Sequence, residues 1–120
     1  MARLMETERK RRLAFTTRRR GLLDKARQLA ALCGVAVTVV CTDPEGGALT
    51  VMETEEGVPA LMENERKRAL AFRNRRRVLL DKAGQLAALC GAQVAVVCAD
   101  PWGGAPTVME TEAGVLARAY

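Results

Sequence analysis

Two stretches of this chain are one stretch written twice. A shift of 57 residues lays LMETERKRRLAF (Leu4–Phe15) on LMENERKRALAF (Leu61–Phe72), and the match continues through LLDKA, LAALCG and TVMETE. Across 4–60 and 61–117, 43 of 57 aligned positions are identical. Whatever one copy folds into, the other folds into as well. A unit this short buries too little apolar surface to be secure alone. The copies therefore read as the two halves of a single-chain pseudo-dimer with one shared core. Residues 1–57 make the first repeat, 58–63 a linker or short helix, and 64–120 the second repeat, the two folding as one unit.

Each copy has the same local grammar. Thr7 and Asn64 are good helix N-caps, and Gly34 and Gly91 suit the left-handed residue that ends a helix. About 26 proline-free residues lie between cap and glycine, enough for roughly 40 Å of helix at 1.5 Å per residue. Phe15, Leu22, Ala26, Leu29 and Cys33 fall on one stripe of that helix, and Phe72, Leu79, Ala83, Leu86 and Cys90 repeat it. Leu23, Ala30 and Leu32 widen the first stripe toward its C-terminal end. Then come VAVTVVC (Val35–Cys41) and AQVAVVC (Ala92–Cys98), apolar and β-branched as a buried strand requires. DPEGG and DPWGG are turn chemistry, and ALTVMET (Ala48–Thr54) and APTVMET (Ala105–Thr111) supply return strands. Helix then hairpin, twice over, predicts an α+β fold. Glu55–Glu63 reads as a linker or a helical turn feeding the second helix.

The formal charge of +5 hides a sharper division. Residues 9–27 carry a net +8, residues 66–82 a net +7, and everything else −10. In the N-terminal half of each helix, basic residues such as Arg9, Lys10, Arg11, Arg12, Arg18, Arg19 and Arg20 surround the axis almost completely. One reading is a solvated charged face. The other sets the two cationic ends together in the pseudo-dimer as one basic surface, the complement of duplex DNA with its dense phosphate charge.

Enzyme chemistry finds little to work with. The chain has no histidine and no serine, so no nucleophile–base pair of the usual kind can be built, and the prediction is a non-enzyme without cofactor or metal. Cys33, Cys41, Cys90 and Cys98 lack the CxxC spacing of zinc sites and fall in the apolar stripe or a strand, where thiols act as small hydrophobes. Gly46 and Gly103 follow no strand–loop–helix pattern and read as turn glycines, Asp43 and Asp100 as turn formers, and Trp102 as a partly exposed packing residue. No apolar run reaches the roughly 18 residues of a membrane span, and MARLMETERKRR is no signal peptide, which favours a reducing cytosolic or nuclear setting. Isoleucine is missing as well, and a chain without Ile, Ser and His points to a designed or heavily redesigned sequence.

ERKRRLAFTTRRRGLLDKARQLAALCGVAVTVV resembles the MADS-box, with the short turn and METEEGV (Met52–Val58) nearest its myocyte-enhancer-factor branch. The resemblance covers both copies. It implies two long antiparallel helices under a four-stranded antiparallel sheet, further helices capping that sheet, nuclear localisation, and binding to AT-rich duplex DNA. By the same resemblance Arg9, Arg11, Arg18, Arg19 and Lys25, with Arg66, Arg68, Arg75, Arg76 and Lys82, take the basic positions near DNA. Phe15, Leu22, Leu29, Leu32, Cys33 and the strand valines take those of the dimer core. The family also docks amphipathic helical peptides on the sheet side, where Val58, Leu61, Met62, Val115, Leu116 and Tyr120 could line a groove. Three departures stand out: Met1–Met5 in place of a basic minor-groove arm, Thr17 and Asn74 in place of a base-proximal lysine, and Asp24 and Asp81 in place of another lysine. They favour an alternative in which the chain is a designed scaffold with weak DNA affinity, inert or peptide-binding.

Overall fold

A computed structural model describes residues 8–45 and 47–120, so the Thr7 cap, Met1–Met5 and Gly46 lie outside the described residues. The order is α1 (Glu8–Cys33), β1 (Val37–Thr42), β2 (Leu49–Glu53), α2 (Glu65–Cys90), β3 (Val94–Cys98), β4 (Thr107–Glu110) and a closing 3-10 turn over Leu116–Ala119. Both helices run 26 residues, as the caps predict. Asn64 accepts from the Lys67 amide at 3.0 Å. Gly34 and Gly91 end the helices at φ 66° and 72°, values that a side chain would strain. Each donates its amide to the carbonyl four residues back, at 2.9 Å. A Cβ on Gly34 would also meet the Ala60 backbone at 2.9 Å, so the glycine lets the linker lie close.

The four strands form one antiparallel sheet in the order β2-β1-β3-β4. At its centre Val39 pairs with Val96, its own copy, so the pseudo-two-fold axis passes between them. Val37, Val39 and Cys41 with Val94, Val96 and Cys98 join the two helix stripes in one buried cluster drawn from both repeats. The backbone crosses between repeats as well: Thr42 donates its amide to the Gln93 carbonyl at 2.8 Å, and Ala99 donates to Ala36 at 3.0 Å. Thr54 and Thr111 each accept the first amide of the neighbouring central strand at 2.8 Å, tying the hairpin ends. In the turns, Asp43 and Asp100 accept from amides two residues ahead, the local bond that makes aspartate a turn former.

Residues 58–63 contain no helix; instead the Leu61 and Met62 amides donate to the Ala31 and Leu32 carbonyls at 3.0 and 3.1 Å. Those carbonyls are among the last of α1 and lack partners within the helix, so the linker satisfies them. Over the outer sheet face, Val115 packs on Val40 and Ala95 as a second small cluster. The 3-10 turn over Leu116–Ala119 follows it and packs Leu116 and Ala119 on the same cluster.

Substitutions between the copies compensate each other. In the first repeat Arg12 bridges Glu8 at 2.9 Å and Glu45 at 3.2 Å, joining α1 to its hairpin turn. The second repeat has Ala69 and Trp102 at these places, and Trp102 meets Phe72 edge-to-face at 5.9 Å beneath the Arg68 guanidinium. An ion pair in one half becomes an aromatic contact in the other, and the tether is kept.

Burial also sets the thiols. Cys41 and Cys98 are fully enclosed, and desolvation raises both from an ordinary 9.0 to about 11. The folded chain thus holds its thiol protons to higher pH than the unfolded chain does. The thiols' contribution to stability is present in full below about pH 9 and is lost as pH rises through about 11. Urea midpoints measured from pH 8 to 11 should fall over that window, and a Cys41→Val, Cys98→Val variant should fall less. Equal slopes would remove the thiols from the account.

Candidate nucleic-acid interface

The two helices pack against each other in opposite directions. Arg75 Nη1 donates to Gln28 Oε1 at 3.5 Å, and Cys33 feels Arg75 and Arg68 while Cys90 feels Arg18 and Arg11. Each basic N-terminal half therefore lies beside the apolar C-terminal half of its partner. The expectation that the two cationic ends sit together needs correction: they occupy opposite ends of the helical layer. Antiparallel packing separates the like charges and spreads them along the molecule, whose longest extent is 46 Å. That length exceeds one turn of duplex DNA, about 34 Å.

Across the layer the charge is uneven. The ridge opposite the buried stripe carries Leu13, Thr17, Arg20 and Asp24 in α1, and Leu70, Asn74, Arg77 and Asp81 in α2, all exposed. Leu13 is 62% and Leu70 60% exposed, so the outermost line is mixed rather than encircled by cations. The cations flank it. Arg9, Lys25, Arg66 and Lys82 are exposed, whereas Arg11, Arg18, Arg68 and Arg75 are half-buried.

Arg19 and Arg76 are placed differently. Arg19 donates to the Thr50 hydroxyl at 3.3 Å and lies 5.1 Å from the Phe15 ring centre; Arg76 donates to Thr107 at 3.2 Å and lies 5.0 Å from Phe72. Both reach back to the outer strands and cover the aromatic end of the core. Arg12 is committed to two carboxylates. Its hydrogen bond holds the Glu8 carboxyl below the usual range, and Glu45, hydrogen-bonded to Glu8, is raised. The family pattern passed over Lys10, Arg20, Lys67, Arg73 and Arg77, all exposed on the same helices. Helical periodicity would have found them, since none lies on the apolar stripe.

Two shallow grooves between the helices flank the pseudo-two-fold axis. One, of about 340 Å³, is lined by Ala71, Asn74, Arg75 and Val78 of α2 with Lys25 of α1. The other, of about 200 Å³, is lined by Thr17, Arg18, Gly21, Leu22 and Lys25 with Lys82. Four cations, Arg18, Lys25, Arg75 and Lys82, thus border the seam.

The six residues considered for a peptide groove fall in separate places. Val58 lines a depression beside α1 with Arg27, Ala30, Ala31, Thr54 and Glu55, next to Leu61 and Met62 in the linker. Val115 and Leu116 lie over the sheet, and the Tyr120 hydroxyl donates to Glu53. Among the described residues no group of His, Cys, Asp and Glu is placed to hold a metal, and no helix is long and apolar enough to cross a membrane.

A sheet-backed pair of antiparallel helices, fused through one core and bearing cations along its length, defines a dimerisation module with a polycationic face. The chain belongs to the SRF-type transcription factor family, whose DNA-binding and dimerisation domain matches it twice, over residues 4–50 and 61–107. Comparison with curated proteins and with solved structures returned no match.

Proposed function

We propose that this chain binds AT-rich duplex DNA as a covalent pseudo-dimer, laying its helical layer along the duplex. The observation that carries the reading is the distribution of exposed cations, Arg9, Lys10, Arg20 and Lys25 with Arg66, Lys67, Arg77 and Lys82, along both helices and away from the sheet. Arg18 and Arg75 support them from the seam and Arg11 and Arg68 lie half-buried on the same helices, while Arg19 and Arg76 act indirectly by fixing each helix to its outer strand. The two repeats act as one folding unit, so the active species is a monomer of 13.0 kDa. Family membership favours a nuclear setting, and the lack of Ile, Ser and His supports a redesigned sequence.

A titration into AT-rich and GC-rich duplexes over a salt series tests this. The expected result is tighter binding to the AT-rich duplex, with log K falling linearly in log salt by about 0.9 per phosphate contact. Micromolar affinity, equal for both duplexes and gone at physiological salt, would end it. A second reading, a scaffold presenting its sheet side to an amphipathic helical peptide, is favoured by Val51 and Val108, 44% and 54% exposed on the outer strands.

A further inference from the structure

We infer that the helical face recognises an asymmetric DNA site, with two chemically different half-sites bound in one orientation. The inference rests on the DNA-binding reading above and goes beyond it. Two separate identical chains must offer identical halves to the duplex, and so match a palindrome. Fusion removes that requirement, and the two halves here have diverged in a particular place.

The buried helix positions are the same in both copies: Phe15 and Phe72, Leu22 and Leu79, Ala26 and Ala83, Leu29 and Leu86, Cys33 and Cys90. Every difference within the helices falls elsewhere: Arg12 against Ala69, Thr16 against Arg73, Thr17 against Asn74, Gly21 against Val78, and Arg27 against Gly84. Two of these pairs line the grooves beside the seam, where they sit among the four cations. Asn74 and Val78 line the larger groove, Thr17 and Gly21 the smaller. Asn74 offers an amide that both donates and accepts, where Thr17 offers a hydroxyl. Val78 offers two methyl groups where Gly21 offers bare backbone.

Charge differs in the same region. Asp24 is paired with Arg27 at 3.3 Å, but Gly84 occupies the corresponding place near Asp81. Arg73 adds a cation to α2 where α1 has Thr16. The half-site under α2 therefore meets a bulkier, amide-bearing surface and is the more selective of the two. An amide matches the paired donor and acceptor of an adenine edge, and a methyl group packs on thymine.

The test is selection from a random duplex library with the native chain and with a variant that carries the α2-type groove residues in both halves, Thr16→Arg, Thr17→Asn and Gly21→Val. A Cβ on Gly21 meets nothing within 4 Å, so the last change has room, and a thermal melt of the variant checks its fold. The native chain should enrich a non-palindromic site, and the variant a palindrome made of the α2-type half. Palindromes built from either native half alone should bind the native chain about tenfold more weakly than the selected site, the cost of about one mismatched pair. A palindromic native site, or duplexes retained without sequence enrichment, would overturn the asymmetry while leaving DNA binding intact. No retention of any duplex at low salt would overturn both readings.

Discussion

Leu22→Ala is expected to lower the thermal midpoint by about 15 °C, and Leu79→Ala by about as much. Both side chains are essentially fully buried, at 1% and 0% exposure, where the helices meet each other and the sheet. Truncating such a leucine costs about 2–5 kcal/mol, from lost transfer energy and the cavity left behind. For a domain of this size each kcal/mol moves the midpoint by about 4–8 °C. The two positions are copies across the pseudo-two-fold axis, so equal losses follow from equal surroundings. Together they should consume most of the roughly 5–15 kcal/mol that such a domain possesses, leaving the double variant largely unfolded. Leu13→Ala and Leu70→Ala remove the same atoms from exposed positions and should change stability by less than about 0.5 kcal/mol. Thermal and urea melts by circular dichroism would show the contrast. The transition must remain single in each variant, because one cluster joins both repeats; two separated transitions would mean that the repeats fold independently.

Asp24→Lys with Asp81→Lys should tighten binding to duplex DNA by about ten- to a hundredfold at low salt. Asp24 and Asp81 lie two residues beyond the buried Leu22 and Leu79, about 200° round the helix, and both are exposed. On a duplex-facing layer each carboxylate repels phosphate, and each lysine in its place gains a phosphate contact. Two new contacts steepen the salt dependence by about 1.8 in log K against log salt. Asp24 is already countered by Arg27, whereas Gly84 gives Asp81 no such partner, so Asp81→Asn should improve binding more than Asp24→Asn. Fluorescence anisotropy over a salt series would measure both slopes. Unchanged slopes would mean that this ridge does not approach the phosphates.

Much of the fold was legible because the repeat, the caps and the stripe agreed. Asn64, Gly91 and the Phe72–Cys90 spacing bound α2 from both ends and identify its buried side. Strand starts shifted inward by one or two residues, since Val35 and Ala92 are buried in the turn between helix and strand rather than paired in the sheet, while β1 runs one residue past its expected end to Thr42. The linker was the ambiguous element. Its path depends on the orphan carbonyls of Ala31 and Leu32, distant in sequence from the amides that satisfy them. The candidate interface was legible as composition but not as geometry. The run Arg18–Arg20 shows three cations in a row, yet Arg20 is exposed, Arg18 borders the seam and Arg19 turns to Thr50. Successive residues on a helix point about 100° apart, so neighbours in sequence serve different surfaces.

The sequence by itself determined that this chain is double, that each half is a helix and a hairpin, and that positive charge belongs to the helices. Those properties follow from local spacing and from identity between copies, which need no partner to be read. The family resemblance implied how the halves are combined, and the tertiary structure decided which charges that combination brings together. Antiparallel packing set the basic end of each helix beside the apolar end of the other, and so turned two concentrated patches into a band along the molecule. It also brought Asn74 and Val78 into one groove and Thr17 and Gly21 into another, on either side of a shared axis. The reason is physical: the long-range contacts of a buried core fix relative orientation, and orientation decides which of many similar charges can face the same ligand.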